Sequence, residues 1–329
     1  MFTSQNNLKN KLTSYNYPYY TFRQYLKRRL GNINLYKIPV DAGFTCPNRD
    51  GSKGWGGCYY CNNKAFSPNS ATKPLPLKTQ IKNTIDYYRK RRNAHKFILY
   101  FQAYTNTYST IPKLKEIYDY AYLDEDIIGI AIATRPDCVD EKILTLINSY
   151  TEKFYVCVEY GLQTIHNKTL KLINRAHTYD DFLNAIDITQ KFSNIDIVAH
   201  TIIGLPGESR DEILTTYKEI SRLPLDGIKI EHLYIAKDTV FEKWFSEKKI
   251  KVYDDFNEYK KLLGDVIIYI PSHWFIERLI GEINSEYVVA PHWGLTKNEI
   301  LHQIRQYFIT NNLYQGKVYN KSLFTSQIS

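Results

Sequence analysis

Three of the five cysteines in this 329-residue chain lie in one short stretch, Cys46-Pro-Asn-Arg-Asp-Gly-Ser-Lys-Gly-Trp-Gly-Gly-Cys58-Tyr-Tyr-Cys61. Cys58 and Cys61 form a Cys-x-x-Cys pair, and Cys46 lies 12 residues before that pair. Four glycines stand between Cys46 and Cys58. Because glycine accepts positive φ angles and lets a backbone pass close to a bulky ligand, we expect this loop to surround a metal centre.

The cysteine pattern limits which metal centre the loop can hold. Thiolates bind zinc or iron–sulfur clusters, and a structural zinc site takes four protein ligands. The sequence has no second Cys-x-x-Cys, and the nearest downstream histidine, His95, falls at a predicted helix end. Three thiols therefore favour a cluster with one metal left open. A zinc loop completed by a distant histidine, and a thioredoxin-like redox pair, remain as alternatives.

Composition and charge point to a basic globular protein. The net charge is +9, the pI is about 9.0, and 43% of the residues are hydrophobic. This charge favours an anionic partner such as nucleic acid, although a basic enzyme without such a partner fits equally well. The candidate phosphate contacts are Lys27, Arg28, Arg29, Arg89, Lys90, Arg91 and Arg92.

The chain shows no targeting or membrane signal. Residues 1–20 are polar and lack the apolar core of a secretory signal, and no run of 18 apolar residues occurs. Reduced thiols fit a reducing compartment. We therefore expect a cytoplasmic protein that does not contact a membrane.

Strands and helices alternate along most of the sequence. This alternation is typical of a parallel sheet or barrel. Cys138 follows the third predicted strand and Cys157 lies inside the fourth; both are expected to be structural, because free cysteines are usually buried and inert. The predicted strands are 36–40, 97–101, 127–133, 154–159, 195–203, 228–235 and, less regularly, 274–279. The predicted helices are 20–30, 77–92, one opened by Pro112, 140–150, 168–173, 180–192, 210–223, 256–270 and 297–312.

The cysteine loop resembles the cluster loop of radical S-adenosylmethionine (SAM) enzymes. Its long first gap, with Cys-Pro-Asn-Arg-Asp-Gly and Gly-Gly-Cys-x-x-Cys-Asn, resembles the YhcC/YtqA-type subfamily, whose core is akin to the elongator catalytic subunit. The resemblance implies that Cys46, Cys58 and Cys61 hold a [4Fe–4S] cluster and that SAM chelates the fourth iron. An electron from a donor such as ferredoxin or flavodoxin would then cleave SAM to a 5′-deoxyadenosyl radical.

The resemblance also implies an α/β fold with three parts. These are an N-terminal basic helical extension over 1–33, a partial (β/α)6 TIM-type barrel over 34–240, and a small C-terminal α/β domain over 241–329 that closes the barrel. Chemistry in parallel barrels takes place at the carboxyl ends of the strands, so the strand ends are the candidate site.

The second and third strand ends carry the first candidate SAM contacts. Gln102, with Thr105 and Asn106, stands where the family carries the Gly-Gly-Glu that binds the methionine amino group; a polar loop capping the next helix is the alternative. Arg135 lies in a Thr-Arg-Pro-Asp sequence that resembles the elongator subunit and the oxygen-independent coproporphyrinogen oxidase. Its guanidinium could pair bidentately with a SAM carboxylate or a substrate phosphate.

The fourth strand end matches the family pattern Glu-x-Gly-x-Gln. The resemblance places Glu159 and Gln163 beside SAM, together with Arg175 of the following Asn-Arg-x-His sequence, which ends at His177. Alternation along the strand puts Glu159 on the same face as Cys157, and a carboxylate buried in the barrel must be paired. A structural ion pair between Glu159 and Arg175 is the alternative to a SAM contact.

The fifth and sixth strand ends resemble the part of the family that backs the adenine of SAM. His200, Gly204 and Leu205 lie in the string that ends Gly-Leu-Pro-Gly-Glu, and Leu233 lies in Glu231-His232-Leu233-Tyr234-Ile235, the end of the sixth strand. A plain strand–turn–helix junction is the alternative for this string.

Taken together, the motifs predict a radical SAM enzyme. The kinship with the elongator subunit and the basic charge favour tRNA as the substrate. One alternative is a radical SAM enzyme acting on a small metabolite or a porphyrin-like acid. Another is a zinc-stabilised nucleic-acid-binding module, which metal analysis would distinguish from both enzymes.

Overall fold

The computed structural model describes residues 17–67 and 75–319. Parallel strands alternate with helices along most of this part of the chain. The strands are β1 (Leu35–Val40), β2 (Lys96–Phe101), β3 (Ile127–Thr134), β4 (Tyr155–Gln163), β5 (Ile195–Ile203), β6 (Gly227–His232), β7 (Ile235–Ala236), β8 (Phe275–Arg278) and β9 (Val288–Ala290). The helices are α1 (Phe22–Leu30), α2 (Asn63–Phe66), α3 (Leu77–Arg92), α4 (Ile111–Tyr118), α5 (Glu141–Ser149), α6 (Asn167–Leu172), α7 (Tyr179–Thr189), α8 (Arg210–Ile220), α9 (Val240–Ser246), α10 (Phe256–Ile267) and α11 (Lys297–Thr310).

The main sheet has seven strands within the described residues, in the order β1-β2-β3-β4-β5-β6-β8. Every pairing in it is parallel. The predicted partial barrel is therefore confirmed, with one addition. Strand β8 comes from the C-terminal region and pairs with β6, with Phe275 opposite Gly227. The C-terminal region thus extends the barrel wall.

The two faces of β4 show how the sequence positions the site. Tyr155 and Cys157 belong to an interior cluster with Tyr100 of β2, whereas Val156 and Val158 belong to the larger core beneath the helices. This alternation confirms the predicted interior face, and Cys157 is a buried filler there. Strand β4 is longer than predicted because its pairing with β5 continues to Gln163, across a register shift.

Helix α1 covers the amino ends of the strands. It begins at a capping box formed by Thr21 and Gln24, and it ends at Gly31, as predicted. Thr21 makes a parallel bridge to Ile276 of β8, and Leu26 packs in the interior cluster. Because α1 fills this end of the barrel, the strand ends that carry the predicted motifs line the opposite end.

Candidate functional site

A cavity of about 160 Å³ lies at the carboxyl ends of the strands. It is lined by nine of the sequence-predicted site residues, together with other side chains of the same strand ends. These nine are Cys46, Cys58, Cys61, Gln102, Arg135, Glu159, Gln163, Arg175 and His200. The structure thus brings together residues from the cysteine loop and from four different strands.

Short turns shape the cysteine loop. The backbone N–H groups of Arg49 and Asp50 donate to the carbonyl of Cys46, at 2.8 and 3.2 Å, and that of Cys61 donates to Cys58 at 2.9 Å. Gly57, with φ +78°, turns the chain into the Cys-x-x-Cys pair. These turns point all three thiols at one space, which suits a cluster held by three cysteines.

Arg175 is hydrogen-bonded to one of the three thiols. Its Nη1 donates to the Cys58 sulfur at 3.5 Å, and its Nη2 donates to the carbonyl of Gly161 at 2.8 Å. Burial raises the pKa of Cys58, but the charge and hydrogen bond of Arg175, together with the charge of Arg135 and a hydrogen bond from Tyr60, lower it more, so the net pKa lies below its ordinary value. Burial and the neighbouring Cys58 raise the pKa of Cys61. The site therefore favours a thiolate at Cys58 first.

The side chain of Arg135 is hydrogen-bonded to the backbone of Arg175. Nη1 of Arg135 donates to the carbonyl of Arg175 at 2.8 Å, while Nε and Nη2 form a fork on Asp137, both at 2.9 Å. Lys53 completes an ion pair with Asp137 at 2.6 Å. All three of its nitrogens thus donate to protein oxygens, and a contact of Arg135 with a SAM carboxylate or a phosphate stays a prediction.

His177 helps to orient Arg175. Its Nε2 accepts from Nε of Arg175 at 2.9 Å, which leaves Nδ1 to donate to the carbonyl of Thr178 at 3.1 Å. Burial and the charges of Arg175 and Arg135 lower the pKa of His177 to about 3. The imidazole is therefore neutral at physiological pH and acts as an acceptor.

Glu159 is paired with two lysines. Lys37 of β1 donates to Oε1, while Lys229 of β6 lies 3.5 Å from Oε2, and Tyr100 donates to Oε2 at 2.8 Å. Burial raises the pKa of Glu159, but these cations and hydrogen bonds hold it well below its ordinary value. The alternative that Glu159 forms an ion pair with Arg175 is therefore wrong, because its partners are Lys37 and Lys229.

The fifth and sixth strand ends divide into two environments. His200 lines the cavity, with Nε2 lying 3.2 Å from Oε2 of Glu231. Leu205 and Leu233 are buried in a separate hydrophobic cluster, and a Cβ on Gly204 would lie 3.2 Å from the ring of Tyr253. These three residues lie outside the described lining of the cavity, and their contact with the adenine of SAM stays a prediction.

Two buried polar atoms test whether the cavity suits a polar ligand. Oε1 of Gln163 and Oγ1 of Thr105 have no hydrogen-bond partner within the described residues, and both residues line the cavity. Unpaired buried polar atoms are costly, so they fit a site that a ligand completes. No three metal-ligating side chains close around a single-ion position in the described part of the chain. The donor set of three thiols fits the larger [4Fe–4S] cluster.

Sequence reasoning missed the lysines that balance Glu159. Lys37 interrupts the otherwise largely apolar strand Leu-Tyr-Lys-Ile-Pro-Val, and Lys229 lies between two isoleucines in Gly-Ile-Lys-Ile-Glu-His. A charge inside a buried strand predicts an internal partner of opposite sign. That signal was present, but it does not identify the partner.

Family models match both parts of the chain. The model of the radical SAM superfamily matches residues 46–220, and that of the radical SAM C-terminal domain matches residues 225–309. YtqA of Bacillus subtilis (strain 168) is 32% identical over 303 residues, which cover 92% of this chain and 93% of YtqA. YhcC of Escherichia coli (strain K12) is 32% identical over 269 residues, which cover 82% of this chain and 85% of YhcC.

Two further similarities lie outside this close group. The structure of archaeal Elp3 from Methanocaldococcus infernus superposes with a TM-score of 0.62 at 20% identity, covering 86% of this chain and 64% of that chain. A tRNA uridine(34) acetyltransferase of Dehalococcoides mccartyi (strain CBDB1) is 26% identical over 167 residues, which cover 50% of this chain and 35% of that enzyme.

The chain belongs to the radical SAM superfamily, in its YhcC/YtqA-type subfamily. It is accordingly an enzyme of this class, and the cofactors of the class are a [4Fe–4S] cluster and SAM. No helix among the described residues is long and apolar enough to cross a membrane.

Proposed function

We propose that this enzyme cleaves SAM in the cavity at the strand ends and modifies an RNA substrate, specifically tRNA. The observation that carries the proposal is the convergence of all three motif cysteines on a cavity that also contains Arg175 and the unpaired amide oxygen of Gln163. When bound, the cluster supplies the electron that cleaves SAM to a 5′-deoxyadenosyl radical.

The side chains around the cavity have different proposed roles. Cys46, Cys58 and Cys61 would hold the cluster, and Arg175 stabilises the thiolate of Cys58. Gln163 offers its unpaired oxygen to a donor such as the SAM amino group.

The proposal of tRNA rests on similarity and charge. Half of the chain is similar to an enzyme whose name specifies uridine 34 of tRNA, and the net charge of +9 favours a polyanion. The similarity ends before the whole of that enzyme is covered, so acetyl transfer is not part of the proposal.

The basic runs suggested by the sequence lie away from this site. Arg89, near the end of α3, is bonded to Asp124 and Asp126, and Arg29 of α1 pairs with Asp196 at 2.6 Å. Asn34 donates to the carbonyl of Arg92, which places the two runs together at the amino ends of the strands. They are therefore on the side opposite the cavity.

A comparison of tRNA nucleosides tests the substrate. Total tRNA from a deletion strain and its parent would be digested and compared by mass spectrometry, with a strain expressing Cys58→Ala as the matched inactive control. We expect one modified nucleoside to disappear from both the deletion and the Cys58→Ala strains. Identical profiles in all strains would reject tRNA and leave a small metabolite as the substrate class.

A further inference from the structure

Trp55 in the middle of the cysteine loop presents its indole ring to solvent. The side chain is 75% exposed, whereas Trp274 is fully buried and Trp293 is partly buried. Single exposed apolar residues are ordinary, so exposure alone assigns no role. The way in which the loop holds this ring is the relevant observation.

The loop backbone seats one side of the indole. Asp50 and Trp55 form an antiparallel bridge, and the N–H of Gly51 donates to the carbonyl of Gly54 at 3.1 Å. Gly51 has φ +90°, and a Cβ there would lie 2.3 Å from Cζ2 of Trp55. The ring therefore rests directly on the Gly51 backbone, a contact that any other residue would obstruct.

Two asparagine side chains connect the backbone of Trp55 to the cavity. Nδ2 of Asn174 donates to the carbonyls of Trp55 and Gly57, at 3.3 and 2.8 Å. Nδ2 of Asn48 donates to the carbonyl of Asn174 at 2.5 Å and lies 3.7 Å from the Cys58 sulfur. Because Gly57 and Cys58 line the cavity, these bonds hold the backbone of Trp55 two residues from the cavity lining.

The surroundings of the ring distinguish between ligand classes. Asp50, Ser52, Lys53 and Gly56 are exposed neighbours, so the ring stands in a polar setting. The buried centre of a protein–protein interface needs a wider apolar patch than one ring. A single seated aromatic in polar surroundings matches the platforms on which unpaired nucleobases stack.

We propose that Trp55 is a stacking platform for an unpaired base of the RNA substrate, near the cavity. The inference rests on the proposed function, since it names the contact that such a substrate makes. A base stacked there would lie beside the cysteine loop, which brings its nucleotide to the mouth of the reactive cavity.

Binding of tRNA to the reconstituted enzyme tests the proposal. Trp55→Ala should weaken tRNA binding about 5- to 150-fold, the range expected for losing one stacked base. Trp55→Phe keeps an aromatic face and should recover most of the affinity. Tyr122→Ala is the matched control, because Tyr122 is 52% exposed but precedes β3 at the opposite end of the barrel.

Salt dependence adds a readout that a general loss of structure would not give. Stacking neutralises no phosphate, so Trp55→Ala should shift the affinity at every salt concentration without changing the slope of log affinity against log salt. Equal iron content and equal thermal midpoints for the wild type and both Trp55 variants verify that the loop is intact.

Three outcomes would overturn the proposal. Equal tRNA affinity of wild type and Trp55→Ala would remove Trp55 from the RNA site. An equal loss in Trp55→Phe and Trp55→Ala would exclude stacking. Slower cluster reduction by flavodoxin with unchanged tRNA affinity would assign the ring to a protein partner. If the wild type itself binds no tRNA, the proposed RNA substrate fails first, and the superfamily assignment is unaffected.

Discussion

Replacing Glu159 by Gln probes the charge balance inside the barrel. Glu159 is 2% exposed and faces the ammonium groups of Lys37 and Lys229. Breaking one side of a buried ion pair costs about 3–5 kcal/mol. In Glu159→Gln, Lys37 keeps its ion pair with Glu277 at 2.7 Å, whereas Lys229 loses its carboxylate partner. We therefore expect the free energy of unfolding to fall by about 3 kcal/mol, the lower end of that range.

The assay is urea unfolding of the reduced apoprotein, followed by circular dichroism. The double variant Glu159→Gln/Lys229→Met removes the orphaned ammonium and should regain most of the lost stability. Glu141→Gln is the matched control, because Glu141 pairs with Lys191 at 2.8 Å on the surface and such pairs contribute at most about 1 kcal/mol. A Glu159→Gln protein as stable as Glu141→Gln, or a double variant no better than the single one, would refute this account of the network.

The same variants separate structure from SAM binding. If Glu159 also contacts SAM, the double variant should bind SAM about 10- to 100-fold more weakly than wild type even after its stability is restored, as expected for losing a charged hydrogen bond. If SAM affinity returns with stability, Glu159 supports the site only through its lysines.

Two further predictions concern the arginines of the site. Arg175→Met should lower the amount of cluster bound, most strongly below pH 8, because the Cys58 thiolate loses its neighbouring cation. The iron content of wild type and variant after reconstitution at pH 7 and at pH 9 measures this effect. Iron content equal to that of wild type at both pH values would contradict the prediction. Burial raises the pKa of Asp137, but Arg135 and Lys53 lower it to about 2 from an ordinary 3.8, so its stabilising effect is present above about pH 4 and is lost as the pH falls toward 2. The stability difference between wild type and Asp137→Asn should therefore shrink by about 2 kcal/mol from pH 6 to pH 2, and a constant difference would count against the ion pair.

The sequence was sufficient for the barrel and for most of the strand-end residues that line the cavity. Local sequence patterns predict these features correctly. The alternation of side chains in Tyr155 to Glu159 and the spacing of the motifs are two examples. The pairing of Lys37 with Glu159 joins residues 122 positions apart, which no local pattern specifies. Leu205 resembles a ligand contact in the sequence, and in the structure it packs into a hydrophobic cluster. An apolar side chain next to a strand end fits either environment, so the sequence alone does not distinguish them.

The role of Arg135 shows a second limit. Its sequence context predicts a strand end, and Arg135 does follow β3 and line the cavity, but the sequence did not show that the carboxylate of Asp137 accepts the guanidinium fork. When an aspartate lies two residues from an arginine, the sequence therefore does not show whether the guanidinium binds that aspartate or a ligand.

Metal and product analysis of the anaerobically reconstituted protein tests the central claim most directly. Wild type should hold about four irons and four sulfides per chain and, with dithionite and SAM, should release 5′-deoxyadenosine. Cys46→Ala, Cys58→Ala and Cys61→Ala should lose both properties, while Cys138→Ala should keep them. Stoichiometric zinc without iron uptake in the wild type, or full 5′-deoxyadenosine release by any of the three loop variants, would contradict the account.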